Sequence, residues 1–301
     1  MAVGRLNAET SAVSGRVRRT VALLRRRGYA LTPRRLGEIC IGGAVSEAEV
    51  RWAVAASPGL AVADGLVVEI EALAEADRIR RRADGHPDQA APYLDLTLRF
   101  VRALVAAAPF IRSVSIAGSL ASGGFRQSND VDLNLIVDDG HRHIAYVVVN
   151  FLGVLHALRH RGKPVDDLTR RPLAPRLMTA NLILERSQCH PLRRQDEDMA
   201  FELLMSEPVY GLDAIGELLD ANPALLEHFP QLAARAAPRL VATPRRAPRA
   251  LYPAWLDGPA RLLGQAAWRY MQWTRRARPE ALARVAYVRS TMRPYTLFDG
   301  P

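Results

Sequence analysis

The chain has 301 residues, of which 49% are hydrophobic and 24% charged, and a formal net charge of +10 at pH 7. This length exceeds the ~100–150 residues typical of one domain, and the apolar fraction can build a sizeable core, which excludes a disordered polypeptide and favours two domains. Cys40 and Cys189 lie far apart with no CxxC spacing, which argues against a disulfide framework or a zinc site.

The most apolar run, Ile144 to Leu158, is interrupted by Asn150 and His156 and falls short of a bilayer span, while the first residues lack the apolar stretch of a signal peptide. A soluble, cytoplasmic protein with no membrane partner is expected. The positive charge favours polyanions such as nucleotides or nucleic acids. Lys163 is the sole lysine, so a biased arginine-rich composition explains the charge as readily as function does.

Val17, Val21 and Leu24 recur at helical spacing, and Gly28 closes this first helix. A second helix starts at Thr32 with Pro33 in its first position, turns Leu36, Ile39 and Cys40 inward, and stops near Gly42 and Gly43. Ser46 and Glu49 have the spacing of a capping box ahead of a third helix that ends before Pro58. Leu60 to Ala63 and Leu66 to Ile70 flank Asp64-Gly65, a hairpin signal. Three short helices and a hairpin resemble a winged helix over residues 1–80.

Residues 81–92, rich in charge and containing Gly85, Pro87 and Pro92, are read as a linker. Tyr93 to Ala108 is a helix ended by Pro109. Strands follow at Ser113–Ile116 and Val131–Val137, then a helix from about His143 to Arg159, a strand over Arg176–Glu185 and a helix over Asp196–Met205. Residues 93–215 thus form an α/β (α+β) core with a mixed sheet. Helices over Asn222–Ala236, Pro259–Arg276 and Pro279–Ser290 make a helical extension spanning 216–301.

Chemistry concentrates in Gly118-Ser119, nine further residues, and Asn129-Asp130-Val131-Asp132. Carboxylates one residue apart on a strand project from the same face and can chelate a hard cation. On an otherwise apolar strand they would repel each other unless neutralised, and magnesium, which prefers oxygen ligands and shares them with phosphates, does so best. Gly118 would let backbone approach phosphate, and Ser119 could add its hydroxyl and N–H.

Gly118-Ser119, the spacer Ser122-Gly123-Gly124-Phe125-Arg126-Gln127-Ser128 and Asp130-Val131-Asp132 resemble the signature of the polymerase beta-like nucleotidyltransferases. The resemblance implies that Asp130 and Asp132 bind two Mg²⁺ ions aligning a nucleoside triphosphate, ATP first, while Gly118 and Ser119 contact its phosphates. Arg126 and Ser128 lie in the same turn, where Arg126 could clamp a phosphate. The stretch from Asn181 through Asp198, Ala200, Glu202 and Leu203 to Pro208 and Gly211 resembles an uncharacterised bacterial and archaeal branch of that family.

A third carboxylate of this fold usually sits on a later strand as general base. If the 177–185 strand pairs beside Asp130-Val131-Asp132, Asn181, Ile183 and Glu185 share a face, so Asn181 or Glu185 fills that position. With Asn181 there, proton removal needs Glu185, Asp166, Asp167 or the substrate itself. The implied reaction transfers a nucleoside monophosphate to an acceptor and releases pyrophosphate. A small-molecule acceptor is favoured, because the basic faces lack the aromatic interleaving that stacks single-stranded bases.

Other candidates are weaker. Cys189-His190 point apart as neighbours. His141 and His143, at the start of a helix, either reach phosphate or are solvated. Arg193 and Arg194 are read as pairing locally with Asp196, Glu197 and Asp198, and the arginine runs 25–27 and 80–82 as solvated faces. The alternative function is a regulator whose winged helix binds DNA and whose second domain only senses nucleotide, although Glu47 and Glu49 oppose phosphate at the start of the third helix.

Overall fold

The computed structural model describes residues 2–160, 177–234, 240–242, 244–275 and 279–298. The chain opens with α1 (Ala2–Arg26), α2 (Pro33–Glu38), α3 (Glu47–Ala55), β1 (Leu60–Ala63), β2 (Leu66–Glu69), α4 (Ala76–Asp84) and α5 (His86–Ala107). There follow β3 (Ile111–Ala117), α6 (Gly118–Ser122), β4 (Val131–Val137), α7 (Arg142–Ala157), β5 (Met178–Glu185), α8 (Glu197–Met205) and β6 (Glu207–Tyr210). Last come α9 (Leu212–Asp220), α10 (Pro223–His228), α11 (Asp257–Arg275) and α12 (Pro279–Met292). The class is mixed α+β, with a two-stranded and a four-stranded sheet.

Two compact units emerge. The first joins Met1–His86 with Asp196–Leu204 and Pro223–Arg235, and the second joins Pro87–Gln195, Met205–Asn222 and Ala236–Pro301. The boundary at His86 falls inside the stretch 81–92, which is helical rather than extended. Pairs one turn apart, Arg81 with Asp77 and Arg80 with Asp84 (2.9 Å), favour helix in α4. Pro87 stands in the first turn of α5, where its missing N–H costs nothing.

Local chemistry accounts for the first unit's start. Thr32 caps α2, accepting from Arg35 N at 3.3 Å. Ser46 and Glu49 form a reciprocal capping box on α3. Asp64 and Gly65 both have positive φ, 51° and 74°, as the two-residue turn between β1 and β2 requires. Val17, Val21, Leu24, Leu36, Val50 and Val54 are buried, each worth on the order of 1.5–3 kcal/mol relative to exposure.

The later segments of this unit attach through polar contacts. Arg27, just after α1, donates to Asp198 and Glu202 of α8, both at 3.1 Å, and lies over the Phe201 ring. It is half-buried in this cluster, so the run 25–27 is not a uniformly solvated face. Gly42 N donates to His228 O (2.7 Å) and Gln231 Nε2 to Cys40 O (2.9 Å).

In the second unit the strand order is β5-β4-β3-β6, with β3 antiparallel to both β4 and β6, and β4 parallel to β5. Alternation along β3 and β4 sends Val114, Ile116, Leu133, Leu135 and Val137 into a core with Phe100 and Leu104 of α5 and Ile144 and Val149 of α7. β6 was not expected from the sequence, because Pro208 reads against a strand. It is tolerated at the sheet edge, where no inner ladder bond is lost.

Candidate active site

Antiparallel pairing of β3 and β4 sets Ala117 opposite Asp132, and the chain passes straight from Ala117 into α6. Gly118, at that turn, has φ of 61°, a left-handed conformation that disfavours side chains. A Cβ there would overlap Oδ2 of Asp132 and lie 3.0 Å from its Cγ. Backbone conformation and the neighbouring carboxylate therefore both demand glycine.

Ser119 Oγ accepts from Asn129 Nδ2 (3.0 Å), and its carbonyl accepts from Gly124 N (3.1 Å), which closes the turn towards β4. Phe125 is fully buried against Tyr93 of α5, with ring centroids 5.0 Å apart. Gln89 of the same helix accepts from Gln127 N at 3.1 Å. This anchoring holds Arg126, whose side chain is exposed, and Ser128, which is half-buried, in the loop that leads to Asp130.

Asp130 immediately precedes β4 and Asp132 lies within it. Parallel pairing brings Thr179 of β5 opposite Asp132. Its hydroxyl is 2.9 Å from Asp132 Oδ1 and 3.4 Å from Asp130 Oδ2, so the two carboxylates converge on one donor. Asp132 is the nearer acceptor. Further along the same face Asn181 Nδ2 donates to Asn134 Oδ1 at 3.0 Å, and Ser115 of β3 is paired opposite Asn134.

Among the described residues no three His, Cys, Asp or Glu side chains are grouped to hold a metal ion. What the described residues assemble is a pair of carboxylates that share the Thr179 hydroxyl. Such a donor set fits magnesium, which commonly takes one or two protein carboxylates and completes its shell with phosphate and water.

Glu185 stands elsewhere. The register shifts between Leu133 and Asn134, leaving Asn181 as an extra residue in β5. Beyond this bulge Ile183 points into the apolar core, while Asn181 stays with Asn134 on the other face. The expectation that Asn181, Ile183 and Glu185 share one face therefore does not hold. Glu185 pairs with Val137, five residues and roughly 16 Å along the strand from Asp132. There it accepts from Gly140 N at 2.8 Å.

His141 and His143 follow the same distant end of β4. The ring of His141 lies between the carbonyls of Asp139 (2.9 Å) and Tyr252 (2.8 Å) and stacks on Phe110. His143 Nδ1 is 2.6 Å from Asp257 Oδ2. Both are structural and neither is solvated.

The Cys189 thiol is pushed up to about 12, first by burial and then by Asp139, so it is not poised as a thiolate. Arg194 donates to the carbonyls of Thr291 (2.6 Å) and Ser290 (3.0 Å) at the end of α12. Asp166 and Asp167 lie outside the described residues.

Thr179 and Asn134 are the site neighbours that sequence reasoning passed over. Alternation offered a signal for Thr179, two residues before Asn181 on the same strand. The sequence reading also denied aromatic interleaving on the basic faces. On α11, however, exposed Tyr270 and Trp273 stand among Arg261 and Arg269.

No family model, no curated protein and no solved structure matches this chain.

Proposed function

We propose that the chain is a magnesium-dependent nucleotidyltransferase that moves a nucleoside monophosphate, AMP first, from a triphosphate to a small-molecule hydroxyl, with release of pyrophosphate. The observation that carries this reading is the contact of Gly118 with the Asp132 carboxylate, beside which Asp130 and Asp132 converge on Thr179. Phosphate-approaching backbone and paired carboxylates then serve one ligand. The resemblance to the polymerase beta-like signature over Gly118-Ser119 and Asp130-Val131-Asp132 supports the same conclusion.

Asp130 and Asp132 would hold the metal, and Gly118 N and the Ser119 hydroxyl would contact the phosphates. A metal held there would supply neutralisation of charge on the phosphoryl oxygens of an in-line displacement. Arg126, exposed in the loop, can fold onto the triphosphate. Asn181, an amide held by Asn134, orients rather than deprotonates, and Glu185 is too distant to act. The acceptor proton therefore goes to the substrate's own phosphate oxygens or to Asp166 or Asp167.

We read α1 to α3 with the β1–β2 hairpin as a winged helix that serves as an interaction or substrate-positioning module. The DNA-binding alternative is less well supported, since Glu47 is paired with Arg51 and Glu49 is locked in the capping box, leaving an acidic start to α3. The test is calorimetric binding of the four ribonucleoside triphosphates with Mg²⁺. One of them should bind wild type and fail to bind Asp130→Ala/Asp132→Ala. Absence of Mg²⁺-dependent binding in the wild type would remove the enzyme reading.

A further inference from the structure

Charge is unevenly placed along the chain. Residues 235–301 contain 13 of the 41 basic residues and 3 of the 31 acidic ones, a net +10, while residues 1–234 contain 28 of each and are neutral. The entire formal excess therefore belongs to residues 235–301, all of which but Arg235 lie in the second unit.

Among the described residues α11, in that part, packs through the side that carries Gly264 and Trp268. A Cβ at Gly264 would lie 2.6 Å from Phe298 Cζ and 3.1 Å from Tyr146 Cδ1 of α7, so this side of the helix is in close contact. Trp268 packs partly against the core beneath. Asp257, at the first turn of α11, accepts from the backbone N–H of His143 (2.7 Å) and Ile144 (3.0 Å) at the start of α7.

The opposite side carries exposed apolar residues. Leu262, Ala266, Tyr270 and Trp273 follow one another at steps of four, four and three residues, the spacing of a single helical face. Leu263 borders this row, and Trp255 stands just before the helix. Trp255 is 71% exposed, Leu262 70% and Leu263 60%. The neighbouring row, Arg261, Gln265, Arg269 and Gln272, has the same steps and is polar.

We propose that this face of α11 lies on an anionic lipid surface, with its leucines and tryptophans in the headgroup–acyl boundary and its arginines against the headgroups. An apolar row bordered by arginine, with tryptophan and tyrosine at the polar–apolar edge, is the pattern of a helix lying in the interface plane. No helix among the described residues is long and apolar enough to cross a membrane, so the contact is peripheral.

Two other occupants fit less well. Single-stranded nucleic acid would stack on Tyr270 and Trp273, yet it gains little from Leu262 and Leu263, the most exposed aliphatic side chains of the helix. A second copy would bring two segments of net +10 together. The inference uses residues distinct from Asp130 and Asp132 and stands apart from the nucleotidyltransferase reading.

The experiment is flotation of the full chain with vesicles of phosphatidylcholine alone and of phosphatidylcholine mixed with phosphatidylglycerol. The protein should float with the anionic vesicles only, and less so as salt is raised. In Leu262→Glu/Leu263→Glu, which alters only exposed positions, partitioning should fall about tenfold or more. Arg261→Gln/Arg269→Gln should weaken it and flatten the salt dependence.

Failure of the wild type to float with anionic vesicles would overturn the proposal, as would equal flotation of the leucine variant. Oligouridylate binding lost in the leucine variant, without vesicle binding, would assign the face to nucleic acid. A wild-type dimer that becomes monomeric in that variant, again without vesicle binding, would assign it to a second copy.

Discussion

Gly118 and Asp132 touch across the β3–β4 pair in a way that no other residue at 118 allows: an added Cβ would overlap the carboxylate oxygen and stand 3.0 Å from Cγ. Gly118→Ala should therefore lose about 1–3 kcal/mol of stability in denaturant unfolding through backbone strain and displacement of Asp132. It should also lose Mg²⁺-dependent nucleotide binding. Gly123→Ala is the control, because Gly123 also has positive φ but has open space around it. That substitution should cost only about 1–2 kcal/mol of conformational strain and retain binding.

Thr179 joins the two carboxylates. Replacing it by the isosteric valine removes the donor to Asp132 Oδ1 and leaves volume unchanged. Mg²⁺ affinity, measured by titration calorimetry, should fall about tenfold, as it does when a group orienting a metal ligand is lost. Thr179→Ser keeps the hydroxyl and should restore most of the affinity. Equal affinity in Thr179→Val and wild type would remove Thr179 from the site.

Glu185 and Asn181 were equivalent choices for the third position from sequence, and variants separate them. Glu185→Ala should leave Mg²⁺-dependent binding and turnover unchanged while costing about 1 kcal/mol in unfolding, from the lost acceptor for Gly140 N. Asn181→Ala should reduce turnover with a smaller effect on stability. A large fall in turnover for Glu185→Ala alone would contradict the placement of that carboxylate beyond the reacting atoms.

Asp257 gives the fold a pH-dependent link. Burial works against its ionised form, but hydrogen bonds from the His143 side chain and the backbone N–H groups of Ile144 and His143 outweigh it and hold the carboxyl below its ordinary value of 3.8. A depressed folded-state value stabilises the fold above the unfolded value, and this contribution disappears as pH falls through the folded one. Unfolding free energy should thus decline more steeply below about pH 4 in wild type than in Asp257→Asn. Parallel curves would deny the link.

Local signals in the sequence translated directly into structure where one residue suffices to produce them. Ser46 and Glu49 cap α3, Asp64-Gly65 turns the hairpin, and the Gly118-Ser119 turn leads into the loop before Asp130. Features set by pairing were not legible. Thr179 became a neighbour of Asp132 through the β4–β5 register, and the bulge at Asn181 took Glu185 off the expected face. A periodicity of two holds only while no extra residue enters the strand.

Long-range assembly was hidden for a similar reason. Asp196–Leu204 carries acidic residues that read as a local helix start, yet Asp198 and Glu202 bind Arg27 at the end of α1. Nothing near either segment announces the other. The exposed row on α11 was written in the spacing of Leu262, Ala266, Tyr270 and Trp273, but amphipathic spacing alone does not reveal which face a helix buries.

The central claim is transfer, and label transfer tests it most directly. The protein is incubated with Mg²⁺, each α-labelled ribonucleoside triphosphate in turn, and the small-molecule fraction of a cell extract as acceptor source. The account expects one labelled nucleoside monophosphate to appear on a new product with an equal amount of pyrophosphate, and neither with Asp130→Ala/Asp132→Ala. Metal-dependent binding of a triphosphate with no label transferred from any of them would contradict it and leave a nucleotide sensor in its place.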